Sequence, residues 1–243
     1  MNEQNNIGVV GKPRSTIGDS YGFLSSVGFN PKTILDVGVG YGTQILYSAF
    51  PSSKIVLVEP LIEFEEAMKS ILSNREGDYI IAAAGKENKL VKFNKHLHQL
   101  DASSLLKEQT GPQTDGEEIT VNMIKLDDYV LSKNYEAPYI LKVDVQGAEL
   151  DVIEGAHNIL KDCEVIVLEV SLFEFLKESP QFYEVINFMH RKGFVSYDII
   201  PGWTRPLDQA LGQIDIVFVK EHGFFRKDHR FCYPHQTQFI FEN

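Results

Sequence analysis

The chain has 243 residues, of which 43% are hydrophobic and 23% are charged, values that are ordinary for a globular protein with a sizeable core. This length suits one α/β domain better than two. The 34 acidic and 23 basic residues give a formal net charge of −11, which argues against a general binder of nucleic-acid backbones.

In chain order, residues 1–32 are predicted to be a lead-in, poorly ordered up to residue 16 and helical within 17–29. Beyond them, apolar runs rich in β-branched residues predict strands, and apolar residues three or four apart predict helices. The predicted strands are residues 33–37, 54–58, 79–83, 90–93, 118–124, 139–143, 165–170, 194–199 and 214–219. The predicted helices are residues 43–50, 61–74, 127–132, 147–161 and 181–192.

This alternation predicts an α/β fold with a mostly parallel sheet and helices on both faces. The last two strands have no helical pattern between them, so they are expected to pair as an antiparallel hairpin at one edge. Residues 85–120 interrupt the alternation as a long polar insertion, a feature that is often functional. We therefore expect a ligand-binding domain at 33–220, followed by a tail at 221–243 that folds back over it.

The strongest local motif is DVGVGYG at residues 36–42, between the first predicted strand and the next helix. Glycines allow a sharp turn and a close approach to a ligand, and ligands bind beyond the carboxyl ends of strands in open α/β sheets. A dinucleotide fingerprint would have glycine where this chain has Thr43. We expect the Asp36 carboxylate to point into the ligand crevice. A carboxylate there disfavours a diphosphate, so the motif favours S-adenosylmethionine (SAM), which carries ammonium and sulfonium charges, over NAD.

The second ligand signal is Glu59, at the end of the second predicted strand. An acid at this point can accept hydrogen bonds from both ribose hydroxyls, each worth roughly 1.5–3 kcal/mol before ordering costs. NAD enzymes also place an acid here. Glu59 therefore indicates adenosine binding without choosing between the two cofactors.

Four blocks of the sequence together resemble the FkbM-type methyltransferase family: ILDVGVGYGT at 34–43, VLVEP at 56–60, DASSL at 101–105 and LKVDVQGAELDVIEGA at 141–156. The last block is the most specific, because SAM enzymes in general lack its Asp-x-x-Gly-Ala-Glu pattern. The similarity extends from about residue 33 to about residue 219. The family commonly has alanine and asparagine in place of Val39 and Gly40, but the glycine spacing of this chain is the broader methyltransferase form.

The resemblance implies a Rossmann-like class I methyltransferase fold, here with a mostly parallel seven-stranded sheet, and SAM as the methyl donor. It also implies O-methylation, with acceptors among sugars, polyketides and related metabolites. We therefore expect a small-molecule acceptor that carries a hydroxyl group. The expected cofactor site comprises Asp36, Gly38, Gly40, Tyr41, Gly42, Thr43, Glu59, Pro60, Ala83, Ser104 and Asp144.

Methylation of a hydroxyl calls for a general base at the same edge of the sheet. Asp144 follows the strand at 139–143, and Glu169 lies near the end of the next strand. Lys142 shares a strand face with Asp144 and is expected to pair with it. We predict Asp144, Lys142 and Glu169 as the catalytic group. Two plainer roles stay open: Asp144 as the N-cap of the following helix, and Lys142 as a strand-end lysine that extends to solvent.

Other polar residues have both functional and structural interpretations. Ser103 and Ser104 lie in the insertion, where a hydroxyl either contacts ligand or serves the loop, and Glu149 is an acid that suits the first turn of a helix. His96 and His98 share one face of a strand but have no third ligand nearby in sequence, so no metal site is predicted. Residues that could form an acceptor pocket or pack the tail are Trp203, His222, Phe224, Phe225, His229, Phe231, Tyr233 and His235.

The cysteines and the terminus bear on location. Cys163 and Cys232 have no CxxC spacing, which predicts free thiols in a reducing compartment. The N-terminal residues lack a secretory pattern, and no apolar run is long enough to span a membrane. We expect a cytoplasmic protein with no nucleic-acid or membrane partner, and a homodimer is left open.

Two other functions stay open on the sequence alone. An NAD-dependent oxidoreductase would share the glycines and Glu59 but would prefer glycine at Thr43. A non-catalytic nucleotide-binding domain would keep the same fold and bind its ligand without turnover.

Overall fold

The computed structural model of the protein describes residues 11–237. Its α-helices are α1 (Ile17–Ser26), α2 (Gln44–Ala49), α3 (Glu65–Leu72), α4 (Leu126–Ser132), α5 (Glu149–Glu154) and α6 (Phe182–Arg191). Its strands are β1 (Thr33–Val37), β2 (Lys54–Glu59), β3 (Gly77–Ile81), β4 (Ala83–Ala84), β5 (Lys89–Lys95), β6 (Glu117–Ile124), β7 (Tyr139–Val143), β8 (Cys163–Ser171), β9 (Phe194–Pro201) and β10 (Gln213–Lys220).

Seven strands form the main sheet in the order β3-β2-β1-β7-β8-β10-β9. All neighbouring pairs are parallel except those of β10, which runs antiparallel to both β8 and β9. The predicted mostly parallel seven-stranded sheet with an antiparallel edge is confirmed. The edge differs in one detail: β10 inserts between β8 and β9, and among the described strands of this sheet it alone runs in the reverse direction.

Helices cover both faces of this sheet, as the strand patterns require. Strands β1 and β7 are apolar almost throughout, which is typical of parallel strands buried on both sides. On one face, α4, α5 and α6 pack on Leu35 and Val37 of β1 and on their neighbours. On the other face, α1, α2 and α3 pack around Ile34. Asp36 alternates with these two apolar positions and therefore faces α1 and α2.

The insertion forms a second sheet with the order β4-β6-β5, in which β5 and β6 are antiparallel. The sequence predicts β5 and β6 as strands but does not reveal that they leave the main sheet. Phe93 of this small sheet packs with Leu61 and Phe64 next to the carboxyl end of β2. The insertion therefore closes over the edge where ligands bind in such folds.

The helix predicted at 147–161 is wrong in extent. α5 ends at Glu154, and a 3-10 turn follows at Ile159–Asp162. The carboxylate of Asp127 accepts hydrogen bonds from the backbone N–H groups of Asn158 and Ile159 at 2.8–3.0 Å, which holds this segment out of a continuous helix. The prediction at 61–74 is likewise shortened to a 3-10 turn and α3.

Both ends of the described chain are attached to the domain. The prediction of poor order up to residue 16 is wrong for residues 11–16, because Arg14 forms an ion pair with Asp198 and lies 4.2 Å from the centre of the Phe23 ring. Residues 1–10 and 238–243 lie outside the described part. In the tail, Phe225 packs edge-on against Phe29 at 5.4 Å, on the face that carries α1.

Every helix between residues 11 and 237 is too short or too polar to cross a membrane.

Candidate active site

A cavity of about 600 Å³ lies at the carboxyl ends of β1, β2 and β7. This volume falls in the usual range for small-molecule sites. The insertion contributes Phe93, Leu100 and Leu105 to its wall, three apolar residues that the sequence interpretation missed. Most of the predicted cofactor residues line it: Gly38, Gly40, Tyr41, Gly42, Thr43, Glu59, Pro60, Ala83 and Asp144.

The three glycines of the motif serve different purposes. Gly38, Gly40 and Gly42 all have positive φ, at +75°, +51° and +95°. A Cβ atom on Gly38 would overlap the carbonyl oxygen of Asp144, and one on Gly42 would collide with Ile71, so these two positions are dictated by packing. A Cβ atom on Gly40 would meet nothing within 4 Å. Gly40 is therefore the glycine that leaves space on the cavity side.

Glu59 lies in the wall of the cavity at the end of β2 and is only 5% exposed. Its Oε2 accepts a hydrogen bond from the N–H of Gly40 at 3.1 Å, and its Oε1 accepts one from the N–H of Leu61 at 3.0 Å. Burial raises the pKa of this carboxyl, although both N–H groups oppose that effect. Because the N–H of Gly40 is already bonded to a carboxylate, the loop does not offer that donor to a phosphate.

Asp36 does not line the cavity, which corrects its predicted place in the cofactor site. Its side chain is fully buried under the floor on the face that carries α2. There it accepts a hydrogen bond from the hydroxyl of Tyr47, and its Oδ1 lies 3.5 Å from the ammonium nitrogen of Lys142. Side chains alternate between the two faces of β1, and this alternation places Asp36 beside α2. Its closeness in sequence to Gly38 does not reveal that direction.

Lys142 is enclosed at the centre of this floor. Its ammonium donates a hydrogen bond to the carbonyl oxygen of Gly38 at 3.0 Å and lies 3.3 Å from Oδ2 of Asp144. Burial alone would lower the pKa of Lys142, but the carboxylates of Asp36 and Asp144 outweigh it, and the net shift is upward. The pairing of Lys142 with Asp144 is present, and the alternative of a lysine extending to solvent does not hold.

Asp144, Gln146 and Glu169 form a unit that we call the carboxylate junction. The Nε2 of Gln146 donates hydrogen bonds to Oδ1 of Asp144 at 2.9 Å and to Oε2 of Glu169 at 2.8 Å. Burial raises the pKa of Asp144, but the charge of Lys142 and hydrogen bonds reverse this, so it is lowered overall. Burial and the charge of Asp144 raise the pKa of Glu169. Asp144 is not the N-cap of α5, a position that Ala148 occupies.

Asp215 is an acid of the cavity that the sequence interpretation missed. It stands opposite Glu169 in the register of β10 and β8 and lines the same cavity. Burial and the charge of Asp144 raise the pKa of Asp215 to about 6. The available signal was an acid within an apolar strand, QIDIVFV, the same kind of interruption that singled out Lys142.

Ser104 is also corrected, because it is fully buried and does not line the cavity. Its hydroxyl donates to the carbonyl oxygen of Gln146 at 2.6 Å and accepts from the N–H of Leu106 at 2.9 Å. Ser103 does line the cavity, and its Oγ accepts a hydrogen bond from the N–H of His96.

In the part of the chain that the structure describes, no group of three or more His, Cys, Asp or Glu side chains is arranged to hold a metal.

A second cavity, of about 470 Å³, adjoins the first across the carboxylate junction. Of the aromatic and histidine residues proposed as acceptor walls, Trp203 lines it and the others do not. Phe224 and Phe225 instead pack on each other and on Phe29. Glu149 lines the second cavity, and its Oε1 accepts a hydrogen bond from the N–H of Gly147 at 2.9 Å.

A family model described as the methyltransferase FkbM domain matches residues 36–196. The chain belongs to the FkbM methyltransferase family. Membership confirms the family predicted from the four sequence blocks and supports SAM as the methyl donor. No functionally curated protein matches the chain.

Among solved structures, the FkbM methyltransferase of Methylobacillus flagellatus is similar, with a TM-score of 0.50 and 15% identity over 84% of this chain. The present chain spans only 48% of the Methylobacillus protein, about half its length. Magnesium protoporphyrin IX methyltransferase of Synechocystis, solved with bound SAM, has a TM-score of 0.45 and 12% identity over 84% of this chain and 78% of its own. An rRNA methylase of Streptococcus thermophilus has a TM-score of 0.45 and 14% identity over 87% of this chain and 99% of its own.

Glu149 is expected to make stability depend on pH. Burial raises its pKa to about 7, above the ordinary value of 4.5. The folded state therefore holds this proton more tightly, and the stability from this group is full below about pH 4.5 and is lost as pH rises to about 7. Relative to Glu149→Gln, the free energy of unfolding of the wild type should fall by at most about 3 kcal/mol over that range.

Urea unfolding of both proteins at several pH values measures this difference. Asp215 has a raised pKa too, but it is present in both proteins and cancels in the comparison. The charge of Glu149 contributes to the raised pKa of Glu169, so that part of the Glu169 shift is included in the measured difference. Parallel curves for the wild type and Glu149→Gln would contradict the assignment.

Proposed function

We propose that the first cavity binds SAM and that the protein transfers the methyl group to a hydroxyl of a small acceptor. The observation that carries this proposal is the charge of the cavity. One lysine, Lys142, lines it together with five acidic residues: Glu59, Asp101, Asp144, Glu169 and Asp215. Such a wall suits a cationic adenosine-containing ligand and repels a diphosphate.

The residues present fit SAM. The oxygens of Glu59 each accept one backbone N–H, which leaves lone pairs for the ribose hydroxyls. The apolar side chains of Phe64 and Phe93 stand beside Pro60 and Ala83 in the same wall and offer a surface for a flat base. Gly40 keeps the loop free of side-chain bulk at the cavity.

Bound SAM would supply a methyl group on a positively charged sulfur, which needs no further activation. What this chain must provide is a group that takes the proton of the acceptor hydroxyl. Asp144 is kept ionised by Lys142, so it can accept a proton at neutral pH. The pKa of Glu169 is raised above neutrality, so Glu169 is the stronger base of the two but acts as one only after it ionises at higher pH. Gln146 holds both carboxylates in place, so the carboxylate junction is the proposed base, with Asp144 and Glu169 as its members.

The oxidoreductase alternative has less support. The chain has Thr43 in place of the third glycine of a dinucleotide fingerprint. The N–H of Gly40, which such a loop would turn to a diphosphate, is bonded to Glu59. A non-catalytic domain is the remaining alternative, and SAM binding without turnover on any acceptor would favour it.

Glu59→Gln should weaken SAM binding by about 10- to 100-fold, because one strong acceptor of the ribose hydroxyls is replaced by a group that must also face two N–H donors. Isothermal titration calorimetry measures the Kd. Glu63→Gln is the matched control, since Glu63 is a nearby acid that pairs with Lys95 and does not line the cavity. Stabilisation by NAD and not by SAM in a thermal-shift assay would overturn the proposal.

Gly40→Ala should weaken SAM binding, whereas Gly28→Ala should leave it unchanged. Both glycines have positive φ and neither would bring a Cβ within 4 Å of another group, so both variants carry backbone strain of about 1–2 kcal/mol. Only Gly40 lines the cavity. Thermal unfolding compares the strain, and calorimetry compares the SAM affinity. Equal affinities for the two variants would remove Gly40 from the site.

Asp144→Asn and Glu169→Gln should keep SAM affinity within a few-fold and lower turnover by on the order of 10²–10⁴-fold. The assay follows transfer of a labelled methyl group from SAM to a library of sugars and polyketides. Because the base acts without its proton and the pKa of Glu169 is raised, wild-type activity should rise with pH above the ordinary carboxylate range. A flat profile between pH 5 and pH 9, or wild-type turnover in both variants, would refute the assignment.

A further inference from the structure

We propose that the second cavity is the acceptor site and that it selects acceptors with hydroxyl or amino groups and no negative charge, favouring a cationic acceptor. This inference rests on the proposed methyl transfer. It goes further by assigning the binding surface and the charge class of the acceptor.

The two cavities share the residues that would do the chemistry. Asp101 and all three members of the carboxylate junction line both of them. A molecule in the second cavity therefore presents its reactive group to the same carboxylates that border the first.

An aromatic wall gives this cavity a flat apolar surface. The rings of Trp203 and Phe175 lie 5.4 Å apart, and both line the cavity. The indole lies against Gly212, where any Cβ would collide with it, so its position is held by the backbone. Trp203 nevertheless remains 47% exposed, which leaves its surface available to a ligand. Such a wall suits the apolar face of a ring-shaped acceptor.

The charge of the wall decides the class of acceptor. Five carboxylate residues line the cavity: Asp101, Glu108, Asp144, Glu149 and Glu169. Among residues 11–237, Arg205 is the only lysine or arginine in the lining, and Asp208 holds it in a two-bond ion pair. The raised pKa values of Glu149 and Glu169 reduce their charge near neutral pH, and Lys142 pairs with Asp144, but the wall keeps an excess of acidic groups. A phosphate or carboxylate in this cavity would be repelled by the acids that stay ionised, whereas an ammonium group would be attracted.

A polar group without a partner points to a ligand here. Ser179 lines the cavity and is 7% exposed, and its Oγ has no hydrogen-bond partner among the described residues. A buried hydroxyl left unpaired costs about 1–3 kcal/mol, so such groups in native proteins usually have a partner. A hydroxyl or amino group of the acceptor would provide one.

Trp203 is the one tryptophan of the sequence, so tryptophan fluorescence reports on this cavity directly. The experiment saturates the protein with S-adenosylhomocysteine, confirms its binding by calorimetry, and titrates glucosamine, glucose and glucose 6-phosphate. These probes share one ring and differ in charge. We expect glucosamine to change the fluorescence at the lowest concentration, glucose at a concentration on the order of tenfold higher, and glucose 6-phosphate least of all.

Two variant pairs test the wall itself. Glu108→Lys should reduce or reverse the preference for glucosamine over glucose 6-phosphate, whereas Glu117→Lys, an equal charge change outside the cavity, should preserve it. Ser179→Ala should weaken glucosamine binding several-fold, whereas Ser132→Ala, an exposed serine elsewhere, should not. Unchanged affinity for S-adenosylhomocysteine shows that each variant is folded.

The outcomes separate the two proposals. If S-adenosylhomocysteine binds but no probe alters the fluorescence, or glucose 6-phosphate binds as tightly as glucosamine, the acceptor inference is wrong and the proposed function stands. If S-adenosylhomocysteine does not bind, the proposed function fails, and the acceptor site fails with it.

Discussion

The buried ammonium group of Lys142 is the interaction on which the site depends. It bonds to the carbonyl oxygen of Gly38 and lies within 3.5 Å of carboxylate oxygens of Asp36 and Asp144. Without that positive charge, Asp36 would be an uncompensated charge under the cavity floor, which proteins tolerate poorly. The same contact ties the glycine motif on β1 to the end of β7. One side chain thus keeps the loop in shape and keeps the proposed base ionised.

This arrangement explains how a strongly acidic cavity can be stable. Glu59 is satisfied by two backbone N–H groups, and Asp144 by Lys142 and Gln146. Glu169 and Asp215 have fewer opposing charges, and their pKa values rise instead. A cationic ligand would relieve this imbalance. The raised pKa values of these acids and the proposed preference for a sulfonium donor therefore have the same cause, an excess of carboxylates.

The sequence predicted the features that depend on local pattern. Strands β1 and β7 match their predicted bounds because buried parallel strands are continuous apolar runs. The sequence predicted that Glu59 lies at the cavity because Glu59 ends a strand. It predicted the pairing of Lys142 with Asp144 because residues two apart in a strand share one face. The direction of Asp36 was missed because the prediction followed its closeness in sequence to Gly38 and not the alternation of β1. The burial of Ser104 was missed because it depends on Gln146, a partner 42 residues away. The separate sheet of the insertion was missed for the same reason.

Gln146 explains why two of the sequence blocks that carry the family resemblance occur together. It is a non-glycine residue at φ +54°, a conformation that costs about 1–2 kcal/mol unless its surroundings hold it. Its backbone carbonyl oxygen accepts a hydrogen bond from the hydroxyl of Ser104, and its side-chain amide donates hydrogen bonds to Asp144 and Glu169. The DASSL block in the insertion therefore fixes the conformation of the VDVQGAE block after β7. The insertion, which departs from simple strand–helix alternation, is in this way a structural requirement of the carboxylate junction.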